Sequence, residues 1–68
     1  MEIHEQIRKI RKAQKMTQGA LAEEVGTKTA VIWQIENGVM QPSRQMLHRI
    51  AEALGHHYQE SLTPQKNK

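Results

Sequence analysis

Cysteine is absent from this 68-residue chain, so neither a disulfide nor a thiolate metal site can support its fold. Aspartate is absent too, every acid being a glutamate. That excludes Ser-His-Asp triads and EF-hand calcium loops. Phenylalanine is missing, serine occurs only as Ser43 and Ser61, and Trp33 and Tyr58 are the only aromatic residues. Long apolar runs are lacking as well. The longest stretch free of polar residues, Ala30-Val31-Ile32-Trp33, is far short of the ~20 residues that span a bilayer. The first residues, Met1-Glu2-Ile3-His4-Glu5, have neither the basic nor the apolar region of a signal peptide, so a cytoplasmic location is expected. No nucleophile-base-acid set is present and the chain is too short to line a pocket. An enzyme is therefore not expected, nor a cofactor, a small-molecule substrate or a membrane partner. His4, His48, His56 and His57 show no HExxH-type or Cys-His spacing, so no metal site is expected.

What is present is basic. Ten Lys and Arg stand against seven Glu, with four His, and the sequence pI is near 9.6. A pI above 9 on so small a domain points to nucleic acid. Arg8, Lys9, Arg11, Lys12 and Lys15 fall in one short stretch with no acid among them. The length allows one small domain, which buries only about 60% of its unfolded surface. Its core must be compact or completed by a partner.

Helical periodicity dominates. Ile3, Ile7 and Ile10 share one face of a helix over about residues 3–14, with Arg8, Lys9, Arg11 and Lys12 off that stripe, toward solvent. Thr17 is a good N-cap for a second helix from Gln18 to Val25, carrying Leu21, Ala22 and Val25 and closed by Gly26. Val31, Ile32 and Ile35 mark a third helix, which an αL pair at Asn37-Gly38 stops. Its start is open: Lys28 stands at the cap position, and Thr27 could cap one residue earlier. Ser43 caps a fourth helix bearing Met46, Leu47, Ile50, Ala51 and Leu54, closed by Gly55. Residues 56–63 are ambiguous. Tyr58, Glu60 and Leu62 alternate as in a strand, yet Tyr58, Ser61 and Leu62 suit one helical turn equally well. The domain is expected over 1–63, with 64–68 a disordered basic tail.

Two short helices joined by a tight glycine turn form a helix-turn-helix pattern. The second needs a small residue at the crossing, Ala22, and the turn needs a positive φ, at Gly26. Burying Ile32 and Ile35 leaves Lys28, Thr29, Ala30, Trp33, Gln34 and Asn37 outward or at the rim. A B-DNA major groove accepts a helix so decorated.

The stretch Thr17-Gln18-Gly19-Ala20-Leu21-Ala22-Glu23-Glu24-Val25-Gly26, then Ile32, Ile35-Glu36-Asn37-Gly38 and Pro42-Ser43, resembles the Cro and phage-repressor (XRE-type) helix-turn-helix family. Ile50-Ala51-Glu52-Ala53-Leu54-Gly55 is similar to that family's fourth helix, and Ile7-Arg8-Lys9-Ile10-Arg11 to its first. The likeness covers about residues 3–55, with spaced landmarks in register. It implies an all-α, compact, four- to five-helix lambda-repressor-like domain, with or without a short C-terminal strand used in dimerisation.

The resemblance also implies roles. Thr29, Ala30 and Gln34 match base-reading positions: Gln34 pairs with adenine, and Thr29 and Ala30 touch a thymine methyl. Gln18 matches a glutamine that helps clamp a phosphate. Lys28, Asn37 and Arg44 are further phosphate contacts. Trp33 stands where the family usually has a small or polar residue. It reads bases by packing on sugar and thymine methyls, or else it covers the loop around Val39-Met40 or makes a dimer contact. Arg11 and Glu36 match a partly buried salt bridge.

The function expected is a sequence-specific regulator of double-stranded DNA, a repressor acting as a homodimer on a palindromic operator. Tyr58 and Leu62 are the candidate dimer residues. The alternative is an antitoxin that binds a toxin protein and represses its own operon.

Overall fold

The computed structural model describes residues 2–58 and 62–64. Of the tail expected at 64–68, Pro64 lies in a strand, while 65–68 and the central part of the 56–63 segment lie outside the described residues. Four helices follow one another: α1 (Ile3–Ala13), α2 (Gln18–Val25), α3 (Thr29–Glu36) and α4 (Arg44–Ala53). Two short strands, β1 (His56–Tyr58) and β2 (Leu62–Pro64), close the fold as an antiparallel pair.

Helices α2 and α4 start on hydroxyl caps. Thr17 Oγ1 accepts the Ala20 N–H at 3.0 Å and Ser43 Oγ accepts the Met46 N–H at 3.1 Å, so α2 and α4 satisfy end donors that would otherwise lack partners. Helix α1 ends in a Schellman turn, with Lys15 N–H on Lys12 O at 2.9 Å and Met16 N–H on Arg11 O at 3.1 Å. That turn requires a left-handed residue, and Lys15 supplies it at φ 57° although it is not glycine.

The end of α3 differs from the expected αL pair. Asn37 has φ −99°, and Gly38 alone is left-handed, at 72°. One such residue suffices to reverse the chain, so Asn37 is free to close the helix with its side chain, whose Nδ2 donates to Trp33 O at 2.8 Å.

One apolar core joins all these elements. Ile7, Leu21, Ile32, Ile35 and Ile50 are fully enclosed, with Ala22, Val25, Leu47, Ala51, Leu54 and Leu62 around them. Isoleucines from three different helices meet there because each helix offers one apolar stripe and turns its charges outward. Arg11 and Glu36 are the exceptions to that partition. Periodicity alone put Arg11 toward solvent, but both are buried, because each is the other's partner inside.

The C-terminal segment is a hairpin rather than one alternating strand or a helical turn. Tyr58 and Leu62 are opposite each other across it. The hairpin is tied back at two points. Gln6 Oε1 of α1 accepts the Leu62 N–H at 3.0 Å, and the rings of His48 and Tyr58 meet edge to face at 5.6 Å.

Candidate nucleic-acid interface

The helix-turn-helix is built by α2 and α3. Ala22, almost wholly buried, lets the two helices approach. Gly26 at φ 86° turns the chain, its N–H on Ala22 O at 2.8 Å and the Thr27 N–H on the same oxygen at 2.9 Å. The chain enters α3 through Lys28, which has extended backbone and makes no side-chain capping bond. The earlier cap at Thr27 is thus corrected. With no side chain spent on capping, Lys28 is exposed and its ammonium is available to an outside anion.

Helix α3 has two unlike flanks. Ile32 and Ile35 are 0% and 1% exposed, while Trp33 is 50% exposed on the other side. Thr29 and Ala30 are exposed with Trp33, and Gln34 is half-buried at the edge between the flanks. Thr29 and Trp33 lie one turn apart, so they share a face, with Ala30 beside them. Asn37, Arg44 and Lys28 are all exposed around this face. Trp33 keeps half its surface open, and Val39 in the following loop is itself 65% exposed.

Behind α3 a polar cluster holds the two helices to α1. Arg11 grips Glu36 with both prongs, Nε to Oε2 at 2.6 Å and Nη2 to Oε1 at 3.0 Å, and its Nη1 donates to Met16 O at 2.7 Å. Glu36 Oε1 also accepts from Gln18 Nε2 at 3.0 Å. Among the described residues no buried side-chain nitrogen or oxygen lacks a partner. The Gln18 link was not foreseen in the sequence. Its only signal is the spacing of the two residues, which a tight turn brings onto neighbouring helix ends. One Gln18 amide hydrogen is thereby committed inward, fixing the side chain at the first residue of α2.

The two residues expected to make dimer contacts are placed differently from each other. Leu62 is 8% exposed and belongs to the apolar core. Tyr58 is half-buried against His48. Among the described residues no three metal-ligating side chains come together, and no helix is long and apolar enough to cross a membrane.

This arrangement, a turn-linked helix pair with an exposed second helix braced from behind, defines a class. A family model described as helix-turn-helix matches residues 7–60. An HTH-type transcriptional regulator of Methanothermobacter thermautotrophicus is 43% identical over 56 residues, covering 82% of this chain and 81% of that protein. The P22 c2 repressor, solved in complex with a synthetic operator, superposes with a TM-score of 0.75 at 33% identity, over 79% of this chain and 82% of that one. A transcriptional regulator from Vibrio cholerae gives a TM-score of 0.72 at 33% identity, over 76% of this chain but only 29% of its own longer chain. The chain belongs to the helix-turn-helix family, with the lambda-repressor-like fold of its Cro/C1 type. It is a DNA-binding transcription regulator.

Proposed function

We propose that this protein is a repressor that recognises a two-fold symmetric operator as a dimer, with α3 of each protomer in the major groove. The observation that carries this reading is the split of α3, Ile32 and Ile35 enclosed and Thr29, Ala30 and Trp33 open on the opposite flank. An eight-residue helix is rigid only when one flank is anchored, and here the anchored flank leaves the other free for base edges. Gln34 pairs with an adenine, Thr29 and Ala30 meet thymine methyls, and Trp33 lies along the same base edges. Lys28, Asn37 and Arg44 neutralise or hydrogen-bond phosphates, which position the helix without reading sequence. Gln18 clamps one more phosphate at the start of α2, its amide held in place by Glu36.

A single helix reads only a few base pairs, so useful specificity needs two. Half-sites are then about one helical turn, ~34 Å, apart. Tyr58 and its β1 neighbours, packed alongside α4 at His48, form the contact between protomers, while Leu62 braces that hairpin from within. The related P22 c2 repressor was captured on an operator, which favours the same mode of action. Such a regulator works in the cytoplasm, beside its DNA.

Selection of binding sites from a random duplex pool tests the whole reading. A symmetric pair of half-sites about 10 base pairs apart is expected. Salt-sensitive binding without any preferred sequence would contradict it, since phosphate contacts alone give that behaviour.

A further inference from the structure

Trp33 is the only tryptophan in the chain and half of it is open to water. Single apolar residues on a surface need no explanation in general, and Val39, 65% exposed on a loop, is such a case. Trp33 differs in its place. It stands in the middle of α3, one turn beyond Thr29 on the exposed flank, in continuity with the face just assigned to base edges. Its backbone is also fixed, because Asn37 Nδ2 holds the Trp33 carbonyl at 2.8 Å and the Val39 N–H holds that of Gln34 at 2.9 Å. The indole is therefore a large apolar plate on a rigid mount, aimed where hydrogen-bonding side chains would be of more obvious use.

In the major groove there is one apolar group that distinguishes bases, the C5-methyl of a pyrimidine. We propose that Trp33 is a specificity-determining residue that covers such a C5-methyl, so that this regulator prefers a methylated pyrimidine at one fixed step of each half-site. The inference rests on the reading of α3 as the groove-bound helix. The four residues from Thr29 to Trp33 advance about 6 Å along the helix, which is roughly two base steps of about 3.4 Å. The methyl thus lies one or two base pairs from the step touched by Thr29. Two sources carry the group, thymine and 5-methylcytosine.

The test uses the full chain and its selected duplex. Each thymine of one half-site is replaced in turn by deoxyuridine, which removes only the methyl. Affinity is read by fluorescence anisotropy at constant salt, for the parent and for Trp33→Ala. One position should weaken the parent about fourfold, the effect of losing one buried methyl-sized group, and leave Trp33→Ala unchanged. At the same position, cytosine is compared with 5-methylcytosine. A uracil-specific loss identifies thymine as the source, and a gain on cytosine methylation identifies 5-methylcytosine; either outcome supports the proposal. A second measurement needs no variant. The emission of the parent protein comes almost wholly from Trp33, and its quenching by acrylamide should fall on saturation with the duplex. If a site is selected but no position shows a Trp33-dependent methyl effect and quenching is unaltered, this inference fails while the groove reading stands. If no duplex is selected at all, both fall.

Discussion

Arg11 and Glu36, 25 residues apart in sequence, form a two-pronged ion pair with Nε–Oε2 at 2.6 Å and Nη2–Oε1 at 3.0 Å. The carboxylate is fully enclosed and the guanidinium nearly so. The pair ties the end of α3 to α1, and through Met16 O it also fixes the loop that leads into α2. An enclosed pair of this kind is weak support for stability as such, but its halves are costly to separate. Glu36→Ala leaves Arg11 charged and without its carboxylate, at about 3–5 kcal/mol. A chain of this length has roughly 0.05–0.15 kcal/mol of stability per residue, so the loss is a large part of the whole. Among single Glu→Ala variants Glu36→Ala should have the lowest Tm, or no cooperative melt. A Glu36→Ala melt that overlays that of Glu52→Ala, whose side chain is exposed, contradicts the role given to the pair.

Gly19 lies inside α2, where glycine costs up to about 1 kcal/mol relative to alanine. A Cβ there would meet Thr29 Oγ1 at 3.5 Å and Thr17 Oγ1 at 3.9 Å, both ordinary contacts. Gly19→Ala should therefore stabilise the domain. Each kcal/mol raises Tm by about 4–8 °C in a domain this small, and thermal denaturation followed by circular dichroism is sufficient to see it. An unchanged or lower Tm would mean that the close approach of α2 to Thr29 tolerates less than the geometry indicates.

Lys15 occupies a left-handed position at φ 57°, which costs a residue with a Cβ about 1–2 kcal/mol. Glycine removes that cost but gives back about 0.5–1 kcal/mol in chain entropy. Lys15→Gly and Lys15→Ala lose the same charge from the C-terminal end of α1, so comparing them isolates the backbone effect. Lys15→Gly should be more stable than Lys15→Ala by about 0.5–1 kcal/mol in urea unfolding. The reverse order would show that the turn after α1 is not held in the left-handed region.

The roles proposed for Gln34 and Lys28 separate reading from positioning. Gln34→Ala should relax the preference at one base position by about 1–3 kcal/mol and leave other positions alone. Lys28→Ala should weaken every duplex alike and lower the slope of log affinity against log salt by about one. Competition binding on a panel of single-base operator variants at several salt concentrations checks both. A Lys28→Ala effect confined to one base would exchange the two roles.

The limits of α2 and α4 were legible in the sequence because they rest on local chemistry. A hydroxyl at Thr17 or Ser43 accepts a bond from three residues on, and a left-handed glycine follows at Gly26 or Gly55. The inward Ile32 and Ile35 were legible for the same reason, as periodicity needs no partner to be stated. Where the outcome depends on a distant partner, local signals mislead. Arg11 looked solvated because its own helix says nothing of Glu36. Tyr58, Glu60 and Leu62 suited a strand and a helical turn alike, because neither pattern reveals that Tyr58 and Leu62 pair with each other. The burial of Leu62 in the core was not legible either, because it comes only with that pairing. The Thr27 cap failed by one residue, since hydroxyl chemistry at Thr27 competes with the turn that Gly26 starts. The likeness to known repressors supplied the Arg11–Glu36 pairing that spacing alone could not.

The most direct test of the account is a nuclear magnetic resonance titration of the protein with its selected duplex. The largest shifts should appear at the backbone amides of Thr29 and Ala30, the side-chain amide of Gln34 and the indole N–H of Trp33, with Ile32 and Ile35 little moved. If the strongest shifts instead fall on the basic outer face of α1, at Lys9 and Lys12, and the exposed flank of α3 stays silent, then α3 is not the helix that reads the DNA.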